Sequence, residues 1–484
     1  MKPISVHLVS LGCPKNLVDS EVILGRIGAE GFIISPDPET ADVLMVNTCG
    51  FIEAAKKESI DHILELVAHK EEHPAKRVVV AGCLGQRYPE ELRSEIPEID
   101  AIVGLAEYAR MPAILRELVG SARLAHPVQV KAPDHPAYSE GSRLRLTPAH
   151  SAYLRISEGC DNPCTFCAIP SFRGRFRSKA VPTVLDEARI EYHADLPLVN
   201  TPVIRQVIAT SRLRIQLNRN QISARRGVVI SGASGTGKTT ALSQLGRAHE
   251  LAARRRHPED RHRLPVVYIT VPPAATSRMV AVEFARFFGL PTPRSANLTD
   301  VTNAVCATAA RTHVDLVLVD EIHNISLATR AGAEVSDTLK YFAERLPATF
   351  VYAGLDVDEI GLFAGTRGRQ IAGRFTLIPA RAFDYGTAEQ RETWHGLLST
   401  MEASLRLHRH KPGTLTGLDE YLFARTNGMI GSLSQLVRGA AVLAIQDGTE
   451  QITQNLLDLV PVDHAAQRAT NARPGRRSKT KAKA

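Results

Sequence analysis

Gly232-Ala233-Ser234-Gly235-Thr236-Gly237-Lys238-Thr239 is the stretch that decides how this 484-residue chain is read. An apolar run, 228–231, precedes it, and a helical pattern over 240–247 follows. Strand, glycine-rich turn and helix start, in that order, aim backbone N–H groups and a helix N-terminus at one point, which suits phosphate. The glycines let the chain wrap the anion, with Ala233, Ser234, Thr236 and Thr240 completing the cradle. Lys238 would bring positive charge to the outer phosphates, and the Thr239 hydroxyl would ligate magnesium. The loop therefore predicts bound ATP with Mg2+.

A triphosphate site needs a second half, an apolar strand that ends in acid. Val314-Asp315-Leu316-Val317-Leu318-Val319-Asp320-Glu321 has that form. Asp320 suits the magnesium shell, and Glu321 suits the general base that polarises the attacking water. Paired acids after a strand also serve as helix N-caps, but a phosphate loop in the same chain favours hydrolysis. The runs 265–270, Thr349–Gly354 and 375–378 fit the same parallel sheet. Neither Asn nor Thr ends the Thr349–Gly354 run, so it names no γ-phosphate sensor. Within Gly368-Arg369-Gln370-Ile371-Ala372-Gly373-Arg374-Phe375, Arg374 first and Arg369 second are candidates for an arginine that completes a neighbouring subunit's site. Helical patterns over 388–407, 418–427 and 432–446 read as a lid, with Arg438 a candidate second sensor. His408 and His410, on either side of Arg409, read as solvated.

With these motifs, the leader from Tyr192 to Pro202 and the Asp320-Glu321-Ile322-His323 box, residues 191–484 resemble the TniB-type proteins of transposition, AAA+ relatives of TnsC-like regulators. The resemblance implies an ATP-dependent homo-oligomer on DNA that recruits or activates a transposase.

The front of the chain has a different character. Runs at Ser5–Ser10, 43–47 and 77–81 each end just before a cysteine: Cys13, Cys49 and Cys83. Helical patterns over 19–30 and 53–70 separate them, so the order reads as an open parallel sheet. Ligands of such sheets bind at the carboxyl ends of the strands, where three cysteines would converge. Three thiols at equivalent positions suggest an iron–sulfur or zinc centre over three buried structural cysteines. After a Pro- and His-rich linker and an apolar run at 152–156 comes Cys160-Asp161-Asn162-Pro163-Cys164-Thr165-Phe166-Cys167. Three thiolates at this spacing can hold three irons of a cubane and leave the fourth open, whereas zinc ordinarily takes four protein ligands.

The segments Ser10 to Asn16, Asn47 to Ile52 and Gly159 to Arg175 make residues 1–189 resemble the start of the RimO-type radical S-adenosylmethionine methylthiotransferases, which modify an aspartate of a small-subunit ribosomal protein. That resemblance implies two 4Fe–4S clusters, one on Cys13, Cys49 and Cys83 and one on Cys160, Cys164 and Cys167, the latter cleaving S-adenosylmethionine. The family's further barrel units, its Gly-Gly-Glu-like strand and its C-terminal RNA-binding domain have no counterpart after residue 189. One βα unit cannot close a barrel. Methylthiolation is therefore the second of two readings, with cluster binding without catalysis a third. One likeness stops where the other starts, as an in-frame fusion by an inserted mobile element would leave it.

The expected fold class is α/β: an open parallel-sheet domain (1–120), a linker (121–150), a fragment of a radical SAM barrel (151–189), a P-loop AAA+ domain (190–386), a helical lid (387–465) and a basic tail (466–484). The formal charge is +8, and Arg473, Arg476, Arg477, Lys479, Lys481 and Lys483 share the tail with no acid between them, which suits a polyanion such as DNA. Seven cysteines in so long a chain make no disulfide framework. No apolar run is long enough for a membrane span, so a cytoplasmic protein is expected.

Overall fold

Short β-branched runs in the front part become a six-stranded parallel sheet, whose central strands, Val43–Thr48 and Arg77–Gly82, are buried on both faces and need cover on both. The computed structural model describes residues 3–121, 126–133, 143–148, 150–293, 296–325, 330–357 and 373–463. The strands are β1 (Ser5–Ser10), β2 (Ile33–Ile34), β3 (Val43–Thr48), β4 (Arg77–Gly82), β5 (Ala101–Val103) and β6 (Val128–Gln129), in the order β2-β1-β3-β4-β5-β6. Helix α1 (Pro14–Ala29) covers one face through Ile23 and Ile27, and α2 (Glu53–Glu72) covers the other through Ile63 and Leu66. The first helix begins five residues earlier than its apolar pattern suggests, because Pro14 occupies the first turn, where a missing N–H costs nothing. Cys13 is thereby its N-cap residue.

The segment read as a barrel opening is organised otherwise. Residues 152–156 are not a strand; the backbone pairs only as β7 (Ser157–Glu158) with β8 (Arg177–Ser178), antiparallel. Helices α3 (Ile169–Arg173) and α4 (Val181–Ala194) complete it, and no barrel strand occurs among its described residues. Charge holds it to α1 instead. Arg173 reaches Asp19 at 2.9 Å and Glu158 at 3.2 Å, Arg155 pairs with Asp19, and Arg143 meets Glu21 at 2.6 Å, all buried. Asp19 and Glu21 inside a helix face would be prohibitive unpaired, so these arginines are a condition of that packing. Helix α4 runs on past residue 190, since Arg189-Ile190-Glu191 contains nothing that breaks a helix.

The chain divides into two compact units, Met1–Asp195 and Leu196–Ala484. The second is built on five parallel strands: β9 (Gly227–Ser231), β10 (Val266–Thr270), β11 (Leu316–Asp320), β12 (Thr349–Gly354) and β13 (Phe375–Pro379). Their order is β10-β11-β12-β9-β13. Helices α5 (Pro202–Asn218) and α6 (Lys238–Arg256) pack one face through Val207, Leu242 and Leu245. Helices α7 (Ser277–Phe287), α8 (Leu298–Arg311) and α9 (Arg330–Arg345) pack the other, where Phe284 and Phe342 meet at 4.5 Å between ring centres.

A helical lid follows: α10 (Ala388–Ala403), α11 (Asp419–Thr426) and α12 (Ile430–Gln446) around the fully buried Trp394. The first lid helix stops at Ala403, short of the expected 407, and the histidines beyond it lie in a turn. His410 is not solvated. It is buried, with Nε2 at 3.0 Å from the Glu402 carboxylate and Nδ1 accepting from the Ile452 N–H at 3.3 Å. Apolar neighbours of the lid core enclose this pair, which composition around Arg409 could not reveal.

Candidate nucleotide site

All five strands of the second unit run the same way, so their carboxyl ends share one edge. Register sets Gly354 beside Ser231 and Thr270 beside Asp320. The glycine-rich loop after β9 and the acids at the tip of β11 therefore face the same space, with β12 between their strands. Gly237 has a φ of 87°, left-handed backbone that an L side chain rarely adopts, and this turns the loop into α6 with Lys238 at its first residue. Thr239 and Ser234 are exposed on the loop, while Thr236 and Lys238 are buried.

Lys238 is folded back on its own loop: Nζ donates to the Ala233 carbonyl at 2.6 Å, and the Thr236 hydroxyl donates to the same oxygen at 2.8 Å. Burial pulls this ammonium below the ordinary lysine range, against the opposing pull of Glu321, Asp320 and Asp356. A phosphate entering the loop offers the ammonium a charged acceptor in place of a neutral one.

Asp320 is held before any ligand arrives. Its Oδ2 accepts from the Tyr268 hydroxyl at 2.8 Å, and its Oδ1 accepts from the Glu321 N–H at 2.9 Å. Burial and the Asp320 carboxylate push the Tyr268 phenol well up, so it stays a donor. Glu321 has a φ of 57°, a left-handed conformation costing about 1–3 kcal/mol for a residue with a side chain. The Glu321 side chain is partly exposed.

The lid closes on the loop itself. The Gly431 N–H, in the first turn of α12, donates to the Gly235 carbonyl at 2.9 Å. A Cβ on Gly431 would sit 3.1 Å from that oxygen, so any larger residue would have to push the loop back by a few tenths of an ångström. Neither this contact nor the Tyr268 bond follows from the lid's helical patterns, which leave residues 428–431 between two helices. The Asn427-Gly428 pair at the start of that turn was its visible signal, since both adopt positive φ.

Other candidates stand apart from this edge. Arg374 precedes β13 at the opposite end of the sheet, where its carbonyl accepts from the Gly227 N–H at 2.9 Å and its guanidinium meets Glu344 at 3.2 Å. A strand's length, about 13 Å, separates it from its own loop. Arg369 and the basic tail lie outside the described residues. Arg438 lies two turns into α12, and its Nε is buried with no hydrogen-bond partner.

In the first unit, register aligns Ser10 with Asn47 and Thr48 with Gly82, so Cys13, Cys49 and Cys83 follow three adjacent strands at one edge. Cys13 is exposed and the other two are buried. Burial pushes the Cys83 thiol up to about 11, while the Arg173 guanidinium, 3.3 Å from its Sγ, works the other way. On the second loop Cys164 is exposed and Cys160 and Cys167 are half-buried. Three thiols per site are the right donors for a cluster. Yet among the described residues no three Cys, His, Asp or Glu side chains are drawn together closely enough to hold a metal ion. The donor type fits a cluster.

Comparisons with known proteins divide the chain in the same way. Residues 189–385 match the bacterial TniB protein family, and residues 5–104 match the uncharacterized protein family UPF0004. The ribosomal protein uS12 methylthiotransferase RimO of Symbiobacterium thermophilum is 47% identical over 188 residues, which is 39% of this chain and 38% of that protein. Its counterpart from Geobacter sulfurreducens is 47% identical over 187 residues, 38% of this chain and 41% of that protein. The chain thus spans about two-fifths of the length of these relatives. Among solved structures, the Aeropyrum pernix ORC2 protein in its ADP form overlays 58% of this chain and 71% of its own, at 18% identity and a TM-score of 0.43. Domain III of the Thermotoga maritima replication initiation protein DnaA overlays 54% and 92%, at 14% identity and 0.35.

Strand order, phosphate loop and lid together give the second unit the fold of a P-loop AAA+ ATPase. Within that class residues 189–385 resemble the bacterial TniB protein, and the first unit resembles the N-terminal part of RimO.

Proposed function

We propose that this protein is an ATP-hydrolysing switch that assembles on DNA and regulates a transposase. One observation carries the hydrolytic half of the reading: Lys238, Asp320 and Glu321 share one sheet edge, with the lid helix α12 seated on the loop. In this reading the loop from Gly232 to Thr240 binds the phosphates and Thr239 and Asp320 hold Mg2+. Glu321 activates water, and Arg374 acts across a subunit boundary. The match to the TniB family supports the transposition role. The net charge of +8 supports a DNA partner.

ATP turnover by the full chain, measured with and without duplex DNA, tests both halves. DNA should stimulate turnover, and the stimulation should fade as salt rises, because phosphate contacts release counterions. Turnover indifferent to DNA and salt sinks the DNA role while leaving the ATPase standing.

A second reading concerns the first unit, favoured by its 47% identity to RimO over 188 residues. It holds that this unit retains iron–sulfur binding without methylthiolation. Iron and sulfide counts on anaerobically purified protein test it; protein free of both overturns it.

A further inference from the structure

His323 lies in the short turn Ile322–Asn324 that follows the acid pair, and the nucleotide site described above gives it no role. This turn is fastened at two points. The Asn324 amide donates to the Val271 carbonyl just past β10 at 2.8 Å. Gly354, at the end of β12, approaches so closely that a Cβ there would lie 2.7 Å from Ile322 and 3.1 Å from the His323 N–H. The imidazole is consequently set between two parts of the site edge. On one side the Leu355 N–H donates to Nδ1 at 3.3 Å, and on the other Nε2 lies 3.3 Å from Oε2 of Glu321.

Chemistry fixes what those contacts mean. An Nδ1 that accepts carries no proton, so in neutral imidazole the proton is on Nε2, the nitrogen that faces the Glu321 carboxylate at 3.3 Å. Glu321 presents a partly exposed side chain from a left-handed backbone that hydrogen bonds to Asp320 and Asn324 hold in place. The backbone donor belongs to the segment just past β12, and Asp356 in that segment lies near enough to act on the charge of Lys238. The segment that holds the imidazole thus also borders the nucleotide site.

We propose that His323 is the positioning residue for Glu321, tying the general base to the end of β12 in the place where an Asn or Thr sensor is missing. This rests on the ATPase reading above. Steady-state and single-turnover ATP hydrolysis by the full chain tests it with two substitutions. His323→Phe keeps the ring and removes both nitrogens; His323→Gln keeps a donor of similar reach. For His323→Phe, kcat should fall about tenfold, as when a supporting hydrogen bond to a site residue is lost, with KM for ATP unchanged. His323→Gln should recover most of that loss. In a Glu321→Gln background, His323→Phe should cost nothing further, since there is no base left to position.

Unchanged kcat in His323→Phe overturns the proposal, as does an equal loss in the Glu321→Gln background, or a raised KM with kcat intact. If His323→Phe does not fold, His323→Gln in the two backgrounds gives the same decision through its smaller residual loss. Failure of the ATPase reading looks different: the wild type itself would turn over no more ATP than Lys238→Ala.

Discussion

Both units carry candidate ligands at the carboxyl edge of a parallel sheet, but they assemble them by different routes. In the second unit one uninterrupted turn, Gly232 to Thr239, supplies the phosphate cradle, and only the acids come from elsewhere. In the first, three cysteines come from three strand ends and three more from a separate loop. Contiguous backbone shapes its own site, since φ at Gly235 and Gly237 is a local matter. A distributed site depends on everything that packs the strands and the loop together. In this chain the segment carrying the second cysteine loop is docked by its own buried arginines onto Asp19 of α1, with no barrel strands among its described residues. The difference teaches that a site's survival in a chain joined from two kinds of sequence depends on how locally it is encoded.

The five measurements that follow press on that contrast from the side of one unit each. The largest expected effect is in the second. Lys238→Ala should lower ATP turnover by about 10³-fold, the scale of losing one preorganised donor to developing charge, read in a coupled phosphate-release assay. In the first unit Arg173→Met should cost about 3–5 kcal/mol, because Asp19 and Glu158 lose a buried partner. Calorimetry should show only the first unit's transition falling; a fall in both would mean the two units melt as one. Saturating ATP with Mg2+ should raise the other transition alone, by about 2.7 kcal/mol at a hundredfold excess over Kd. Gly431→Ala should raise KM for ATP a few-fold, about 1 kcal/mol, since the added methyl meets the Gly235 carbonyl at 3.1 Å. At the small end, anaerobically reconstituted protein should release no 5′-deoxyadenosine from S-adenosylmethionine. Release at the level of a complete methylthiotransferase would break the comparison outright.

Much of the second unit was open to reading because its signals are short-range. The loop, the acid pair and the apolar runs at 265–270 and 375–378 each announce themselves within a few residues, and the sheet follows from their parallel order. Tyr268 was not readable: a tyrosine in the middle of a strand looks like any β-former, and its hydroxyl bond to Asp320 exists only because β10 lies beside β11 in this register. His410 failed for a related reason. Its neighbours Arg409 and Lys411 suggested solvent, whereas the fold brings Glu402 and Ile452 to its two ring nitrogens. The run at 152–156 has the composition of a strand, but no described barrel strand lies beside it to pair with.

By itself, the order of residues determined the phosphate loop, the acids that answer it, the two cysteine trios and the change of kind near residue 190. Each is a property of residue type at short spacing, which backbone geometry converts directly into form. Tertiary structure alone decided that the lid begins on the loop through Gly431, that Arg374 faces away from its own site, and that Arg155 and Arg173 neutralise Asp19. Those facts depend on which strand lies beside which, and on the cost of leaving a buried charge unpaired, and neither is written in any local stretch of the chain.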